Sequence, residues 1–140
     1  MTCVVSSSAT PEHVRCVREW FVAEWGPKSA LDLDAIPNLS PLVAIANGEP
    51  IGGLAFTRFQ RPGPGPKVSV LWINALFVPP IHRRKGIASQ LIQAAEAEAV
   101  RLREAELYAL TDLPALYEKL GWRLIRSDAA GTVVGKTLGK

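Results

Sequence analysis

The chain has 140 residues, of which 48% are hydrophobic and 21% are charged, and its formal net charge is +3. These values predict one soluble domain spanning residues 1–140. They exclude a membrane span, because no apolar run approaches the ~20 residues needed to cross a bilayer. The small charge, concentrated in residues 82–85, excludes the broad basic face of a nucleic-acid-binding protein. Cys3 and Cys16 lack metal-site spacing and no secretory signal is visible, so we expect a cytoplasmic protein that binds no metal.

The first third of the chain predicts one strand and one helix, followed by a less regular segment. Residues 2–7 are a candidate strand, and Pro11 is typical of the first turn of a helix. Gly26-Pro27 ends this helix. Residues 28–39 have no clean period, so we interpret them as a loop, either a plain connector or part of a binding site.

The next segment predicts a hairpin and then a second turn. Residues 41–46 and 51–59 are predicted strands joined across Asn47-Gly48, since both of these residues tolerate positive φ. Gly52-Gly53 within the second strand indicates a bulge or a close approach of another part of the backbone. The Pro/Gly run at 61–66 is neither strand nor helix, so we expect a loop between two antiparallel strands.

The middle of the chain predicts a deeply buried strand. Residues 68–78 are too apolar to alternate, which is typical of a central strand covered on both faces. Asn74 is strongly polar in this run, and a buried amide needs partners, so we expect it to bond within the sheet or to a ligand or water. Residues 106–111 predict the following strand.

The junction after residue 78 has the composition of an anion site. A helix is predicted for residues 85–103, and the cationic run 83–85 stands at its start. The first N–H groups of a helix have no intrahelical partner and lie at the positive end of the helix dipole. Gly86 and Ala88 allow a phosphate to approach the backbone closely. The alternative is an ordinary helix start with a solvated basic turn.

The last part of the chain predicts a short helix and a closing hairpin. Thr111 and Pro114 are typical of a helix start, and Gly121 is expected to end that helix. Residues 122–126 and 132–138 predict two antiparallel strands. Four acidic residues in and just after the helix predicted for residues 85–103 are expected to face solvent: Glu96, Glu98, Glu104 and Glu106.

Two of these segments carry a family resemblance. Arg83-x-x-Gly86-x-Ala88, after a strand end, resembles the acetyl-CoA-binding motif of the GNAT superfamily of N-acetyltransferases. The segment ALYEKLGW, residues 115–122, is similar to a second signature of that family and places Tyr117 at its tyrosine position. Leu116 replaces the usual aromatic residue before it. The two motifs occur in the order of the family, and the resemblance runs from about residue 42 to residue 138.

The resemblance implies an α/β fold with a mixed, mostly antiparallel sheet of six to seven strands and helices on both faces. Two central parallel strands, here residues 68–78 and 106–111, would splay apart and admit acetyl-CoA as the cosubstrate. The implied cofactor-binding residues are Leu76, Phe77, Val78, Arg83, Arg84, Lys85, Gly86, Ile87, Ala88 and Ser89.

The implied reaction is direct attack of a neutral primary amine on the acetyl carbonyl. Tyr117 is implied as the group that protonates or hydrogen-bonds the leaving sulfur, and a core tyrosine is the alternative. Many members of the family have a glutamate base near the position of Asn74. Asn74 is therefore a candidate catalytic residue, but an amide cannot act as a base, which leaves the general base unassigned.

The acceptor is either a small-molecule amine or a peptide N-terminus, used by a monomer or a homodimer. The family builds part of its acceptor site near the end of the first helix, where Trp20, Glu24 and Trp25 lie, although core packing is the alternative for the tryptophans. A non-catalytic GNAT-fold module that senses acetyl-CoA is the alternative function. Asn74 favours that alternative and Tyr117 opposes it.

Overall fold

The computed structural model describes residues 4–6, 11–26, 36 and 39–138, so most of the loop expected at 28–39 lies outside the described residues. Each of the other predicted strands and helices is present. The elements are β1 Val4–Ser6, α1 Pro11–Trp25, β2 Leu42–Ala46, β3 Glu49–Gln60, β4 Ser69–Phe77, α2 Ile87–Arg101, β5 Glu106–Thr111, α3 Pro114–Glu118, β6 Arg123–Asp128 and β7 Gly131–Thr137. Among the described residues, no helix has the length and apolar character needed to cross a membrane.

The strands form one seven-stranded sheet in the order β1-β2-β3-β4-β5-β7-β6. Strands β4 and β5 are parallel, and the other neighbours are antiparallel. This arrangement confirms the predicted mixed, mostly antiparallel sheet. It also places the C-terminal ends of β4 and β5 at the same edge, where ligands of α/β sheets commonly bind.

The two parallel strands separate before they end, which confirms the predicted splay. Their pairing stops at Ile73 and Ala109. Beyond that point each strand pairs only with its outer neighbour, β4 with β3 as far as Phe77 and β5 with β7 as far as Thr111. A β-bulge lies at the same place, because Ala55 and Phe56 of β3 pair with residues 75 and 73 of β4. Bulges bend a strand, so the extra residue, Asn74, coincides with the point where β4 leaves β5.

Helices cover both faces of the sheet, as predicted. Helices α2 and α3 pack on one face and contribute to the larger core cluster, and α1 packs on the other face. Side chains that alternate along β4, β5 and β7 leave a third cluster, Trp72, Tyr108 and Val133, on the α1 side of the sheet but separate from the α1 cluster. This third cluster becomes part of the surroundings of the site described below.

Strand β3 is sandwiched between α1 and α2, and its two glycines make this possible. A Cβ atom on Gly53 would lie 2.6 Å from the side chain of Val17, and one on Gly52 would lie 3.0 Å from that of Ile87. The glycine pair therefore marks a close approach of both helices, and a bulge lies beside it, because Ala44 and Ile45 of β2 pair with Gly52 and Pro50. Both sequence interpretations, a bulge and a close approach, are met at this point.

We predict that Gly53→Ala lowers the free energy of unfolding by about 1–3 kcal/mol, because the added methyl group overlaps the two γ-carbons of Val17. Urea unfolding followed by circular dichroism measures the change. The matched test is a double-mutant cycle, since Val17→Ala removes the overlapping atoms and should make Gly53→Ala less destabilising in that background. Additive effects of the two substitutions would contradict the proposed contact.

The observed bounds of α2 correct the predicted helix at 85–103. Gly86 precedes the helix in the left-handed region with φ 79°, and Arg84 also has a positive φ of 66°, so Lys85 belongs to a turn. At the other end Leu102 is the C-cap and Arg103 has φ 63°. A residue with a positive φ cannot continue a right-handed helix, so α2 is shorter than predicted at both ends.

The expectation that four acids face solvent is wrong, because each of them forms an ion pair and is only partly exposed. Glu104 pairs with Arg58 of β3 at 2.6 Å, and Glu106 pairs with Arg61, directly after β3, at 2.8 Å. Arg61 lowers the pKa of Glu106 below its ordinary value through its hydrogen bonds. These pairs join β3 to the start of β5, at the end of the sheet opposite the splay. The remaining two acids, Glu96 and Glu98, pair with Lys136 and Arg101.

Candidate active site

A cavity of about 980 Å³ lies where β4 and β5 separate, and its size is within the usual range for a ligand site. It runs from the start of α2 and from α3, on one face of the sheet, to the third cluster on the opposite face. The described residues that line it are Glu24, Trp25, Thr57, Phe59, Trp72–Val78, Arg83, Ala88, Leu110–Leu113, Leu116, Tyr117, Arg126, Ala130 and Val133. The cavity therefore passes through the sheet, which is possible only because the parallel pairing stops at Ile73.

The start of α2 has the geometry of an anion site. No side chain caps the helix at Gly86, so its first backbone N–H groups stay available to a ligand. A Cβ atom on Gly86 would meet nothing within 4 Å, which leaves open space beside these groups. Arg84 and Lys85 are exposed next to it. Ile87 is buried in the core, so only its backbone faces the turn.

Arg83 is turned back towards the end of β4. Its Nε donates a hydrogen bond of 2.7 Å to the carbonyl oxygen of Val78, and its guanidinium lies 5.6 Å from the ring centroid of Phe77. Both contacts tie the turn before α2 to the strand that lines the cavity. The distance to the ring is within the range of a cation–π interaction. Of the three cations at the turn, Arg83 is thus the one with a defined structural position, and it lines the cavity.

Asn74 is exposed in the cavity wall, so the expectation of a buried amide is wrong. The bulge makes Asn74 the extra residue of β4, and β5 has already left its side at this point. An apolar run of sequence indicates burial on average, but a residue that loses its neighbouring strand becomes accessible. The amide therefore faces water or a ligand, as one branch of the sequence interpretation proposed.

Tyr117 lies in α3 and forms part of the cavity wall, although it is only 3% exposed. Its ring meets the ring of Trp122 edge to face, with 4.9 Å between the centroids. Burial raises the pKa of the Tyr117 phenol well above its ordinary value of 10. The hydroxyl is therefore protonated throughout the physiological range.

The end of α3 holds Tyr117 in place. The N–H of Trp122 donates to the carbonyl of Tyr117 at 3.2 Å, and the N–H of Gly121 donates to that of Glu118 at 3.1 Å. Gly121 has φ 91°, and this pattern is a Schellman motif, which confirms Gly121 as the end of the helix. The Trp122 indole N–H also donates to Glu96 of α2 at 2.9 Å. The tyrosine is thus fixed by backbone, ring and α2 together.

The sequence of this chain matches the family model described as the acetyltransferase (GNAT) family over residues 11–122. The chain belongs to this family. The match covers the start of α2 and the segment of α3 that carries Tyr117. No curated protein matches the sequence of this GNAT chain.

Solved structures of several N-acetyltransferases share the fold. YhbS from Escherichia coli, in complex with CoA, is 22% identical with a TM-score of 0.76, and the alignment covers 98% of this chain and 82% of YhbS. The ribosomal-protein-S18-alanine N-acetyltransferase of Escherichia coli is 14% identical with a TM-score of 0.74, covering 99% and 96%. An aminoglycoside 6′-N-acetyltransferase complexed with coenzyme A is 17% identical with a TM-score of 0.74, covering 98% of both chains.

Sequence reasoning missed several residues of this GNAT cavity. Sequence patterns assign residues 111–114 only to a strand end and a helix start, yet Thr111 and Asp112 line the cavity at the end of β5. Thr111 Oγ1 accepts the N–H of Leu113 at 2.8 Å, so the hydroxyl does organise the turn, although no side chain caps α3. The available signal was that polar residues directly follow a buried parallel strand, where its neighbour also ends. For Phe59 and Trp72 the sequence held no such signal.

Proposed function

We propose that this protein transfers the acetyl group of acetyl-CoA to a primary amine by direct attack. The observation that carries the proposal is the cavity through the sheet, which joins an anion site at α2 to an opening on the opposite face. Two substrates that enter from opposite ends meet in the splay without displacing each other. Such a ternary complex suits direct transfer, because both reacting groups are held in place at once.

Coenzyme A fits the α2 end by its chemistry. The pyrophosphate would accept hydrogen bonds from the backbone N–H groups of residues 84–89, with Arg84 and Lys85 adding positive charge. Beyond Ile73 the edge of β4 has lost β5, so backbone groups of residues 76–78 on this edge are available to the pantetheine amides, except the carbonyl of Val78, which accepts from Arg83. An extended chain would bind there much as an added strand does.

The chemistry requires that negative charge on two atoms is stabilised. Attack by the amine places charge on the carbonyl oxygen, which backbone N–H groups near Val78 would bind. Collapse of the intermediate then breaks the C–S bond and places charge on sulfur. The raised pKa of Tyr117 makes the phenol a weak acid, so it serves better as a hydrogen-bond donor to the thiolate than as a proton source.

The proton of the amine also has to leave. Asn74 has no basic group, and we assign it the role of holding water or the amine at the bulge. Among the described residues that line the cavity, the carboxylates are Glu24 and Asp112. Either of them accepts a proton through water in the open cavity.

Calorimetric titration of the pure protein with acetyl-CoA tests the cofactor part of this proposal. We expect binding with a dissociation constant of about 1–100 μM, a range near typical Michaelis constants. Release of CoA thiol in the presence of a panel of amines then tests transfer. Absence of binding by folded protein would sink the proposal, and binding without transfer to any amine would favour the sensor function instead.

A further inference from the structure

Exposed apolar side chains gather at the end of the cavity away from α2. Trp25, Phe59, Leu110 and Leu113 are 50%, 62%, 53% and 64% exposed, and all four line the cavity. Single exposed apolar residues are normal on a protein surface, but a group of them around one cavity marks a binding site. Two of these side chains lie on strands, one lies on the turn after β5 and one lies at the end of α1. A ligand that contacts all four therefore lies against the open face of the sheet.

Two sets of aromatic rings form the walls of this open end. Phe59 and Trp72 line the cavity with their ring centroids 6.2 Å apart, and Tyr108, which is outside the lining, contacts Trp72 with centroids 5.5 Å apart. Phe77 meets Trp25 edge to face at 6.2 Å. Most of these rings stand on strands of the sheet, so they present a wall of fixed shape. Such walls favour a flat apolar ligand, since rings gain contact area and ring–ring interactions together.

The Trp72 indole is also incompletely satisfied. Its Nε1–H is buried and has no hydrogen-bond partner within the described part of the chain. Buried donors are nearly always paired, so this N–H is a candidate to donate to a ligand or a water in the adjoining cavity. The other buried indole of the described residues, Trp122, donates to Glu96.

The charge around the cavity argues against a polycationic ligand. The described lining contains two acids, Glu24 and Asp112, and two arginines, Arg83 and Arg126. The formal charges of these four side chains cancel. An aminoglycoside or polyamine carries several ammonium groups, and each needs a carboxylate or other acceptor to compensate for lost water. Arg83 lies at the α2 end, so the rest of the described lining carries one net negative charge, which matches one ammonium group and not several.

We propose that the acceptor is a primary amine joined by a short chain to a flat aromatic body. This inference rests on the proposed function and specifies its acceptor. The body lies against Phe59 and Trp72, and the amine reaches the splay beside Asn74. In the reaction the amine nitrogen forms a C–N bond to the acetyl carbon, the C–S bond breaks, and the sulfur leaves with its electron pair. The proton lost by nitrogen passes through water to Glu24 or Asp112, the thiolate takes up a proton from solvent, and CoA thiol and an N-acetyl amide are the products.

The test compares kcat/KM for acceptors at saturating acetyl-CoA, by release of CoA thiol. We expect tryptamine and 2-phenylethylamine to exceed spermidine and kanamycin by about tenfold or more, since burial of an aromatic ring adds binding that a polycation lacks. A short peptide with an N-terminal alanine completes the panel. Higher kcat/KM for spermidine, kanamycin or the peptide would overturn the inference and leave the proposed function standing.

Phe59→Ala tests whether the preference for aromatic amines depends on the aromatic wall of the cavity. Phe59 is exposed, so its loss should not unfold the chain, and kcat/KM for tryptamine should fall about tenfold. Leu124→Ala is the matched control, because Leu124 is an equally exposed apolar residue of β6 outside the cavity. An unchanged kcat/KM in Phe59→Ala would contradict the inference. Failure of all amines, with acetyl-CoA still bound, would instead remove the proposed transfer and the inference with it.

Discussion

Tyr117→Phe is expected to lower kcat about 10- to 100-fold while the KM for acetyl-CoA changes little. A hydrogen bond to a charged group contributes about 1.5–3 kcal/mol, and each 1.36 kcal/mol corresponds to a tenfold change in rate. The thiolate carries its charge only after attack, so the lost bond affects the transition state and not the bound cofactor. The edge-to-face contact with Trp122 survives, because phenylalanine keeps the ring.

The pH dependence distinguishes donation of a hydrogen bond from transfer of a proton. Burial raises the pKa of Tyr117 above its ordinary value, so the phenol stays protonated from pH 6 to pH 9. Removal of the hydroxyl in Tyr117→Phe should therefore reduce kcat equally across this range. A general acid would matter less as the pH passes the pKa of the thiol, about 8.5 for a model thiol, because the thiolate then leaves unaided. Steady-state kinetics of CoA release at four or five pH values measures this.

Tyr108→Phe is the matched control for this experiment. Tyr108 is an equally buried tyrosine, but it lies in β5 outside the cavity lining, and its hydroxyl bonds to Glu106. We expect its kcat to stay within about threefold of the parent. A loss below about threefold in folded Tyr117→Phe would demote Tyr117 to a packing residue, and an equal loss in both variants would mean that the effect is structural.

The elements of the fold were predictable because their signals are local. The proline at the start of α1, the Asn47-Gly48 turn and the Gly121 stop act within a few residues, and the structure has all three features in place. The splay between β4 and β5 was expected from the family resemblance alone. No pattern in residues 68–78 shows that the pairing of β4 with β5 stops at Ile73.

The exposure of Asn74 was not predictable, because it depends on register. The bulge arises from the alignment of β3 with β4, two strands joined by a Pro/Gly loop, and a shift of one residue would place another side chain in the cavity wall. The direction of Arg83 is a similar case. The sequence does not show whether its guanidinium binds a ligand or a backbone oxygen, because only the folded backbone brings the carbonyl of Val78 to 2.7 Å from its Nε.

The contacts that hold Tyr117 in place were not predictable either, because they join residues far apart in the sequence. Glu96 accepts from Trp122, 26 residues away, and pairs with Lys136, 40 residues away. Lys136 also donates to the carbonyl of Leu120 at 2.8 Å. A helix pattern assigns Glu96 to the solvent side of α2, but α3 and β7 close over it in the folded chain. Side chains that meet only through topology leave no periodic signal in the sequence.

Gly86→Glu is expected to weaken acetyl-CoA binding about 100-fold or more, with Gly86→Gln as its matched control. Both side chains enter the open space beside Gly86, and both share the strain of a positive φ. Glutamate alone adds a negative charge at the place proposed for the pyrophosphate. The Gly86→Gln variant should therefore bind acetyl-CoA much more tightly than Gly86→Glu, and this difference in affinity should shrink as salt is added. Calorimetric titration at two ionic strengths measures both effects.

The stability of the two variants should change in the opposite direction to their affinity. A carboxylate at the N-terminus of a helix is favourable by about 0.3–1 kcal/mol, because it lies at the positive end of the dipole. Gly86→Glu should therefore unfold at a higher urea concentration than Gly86→Gln while binding acetyl-CoA less well. Weak binding joined to lower stability would mean that the variant is damaged. Equal affinities of the two variants would place the pyrophosphate elsewhere and leave the turn before α2 a solvated helix start.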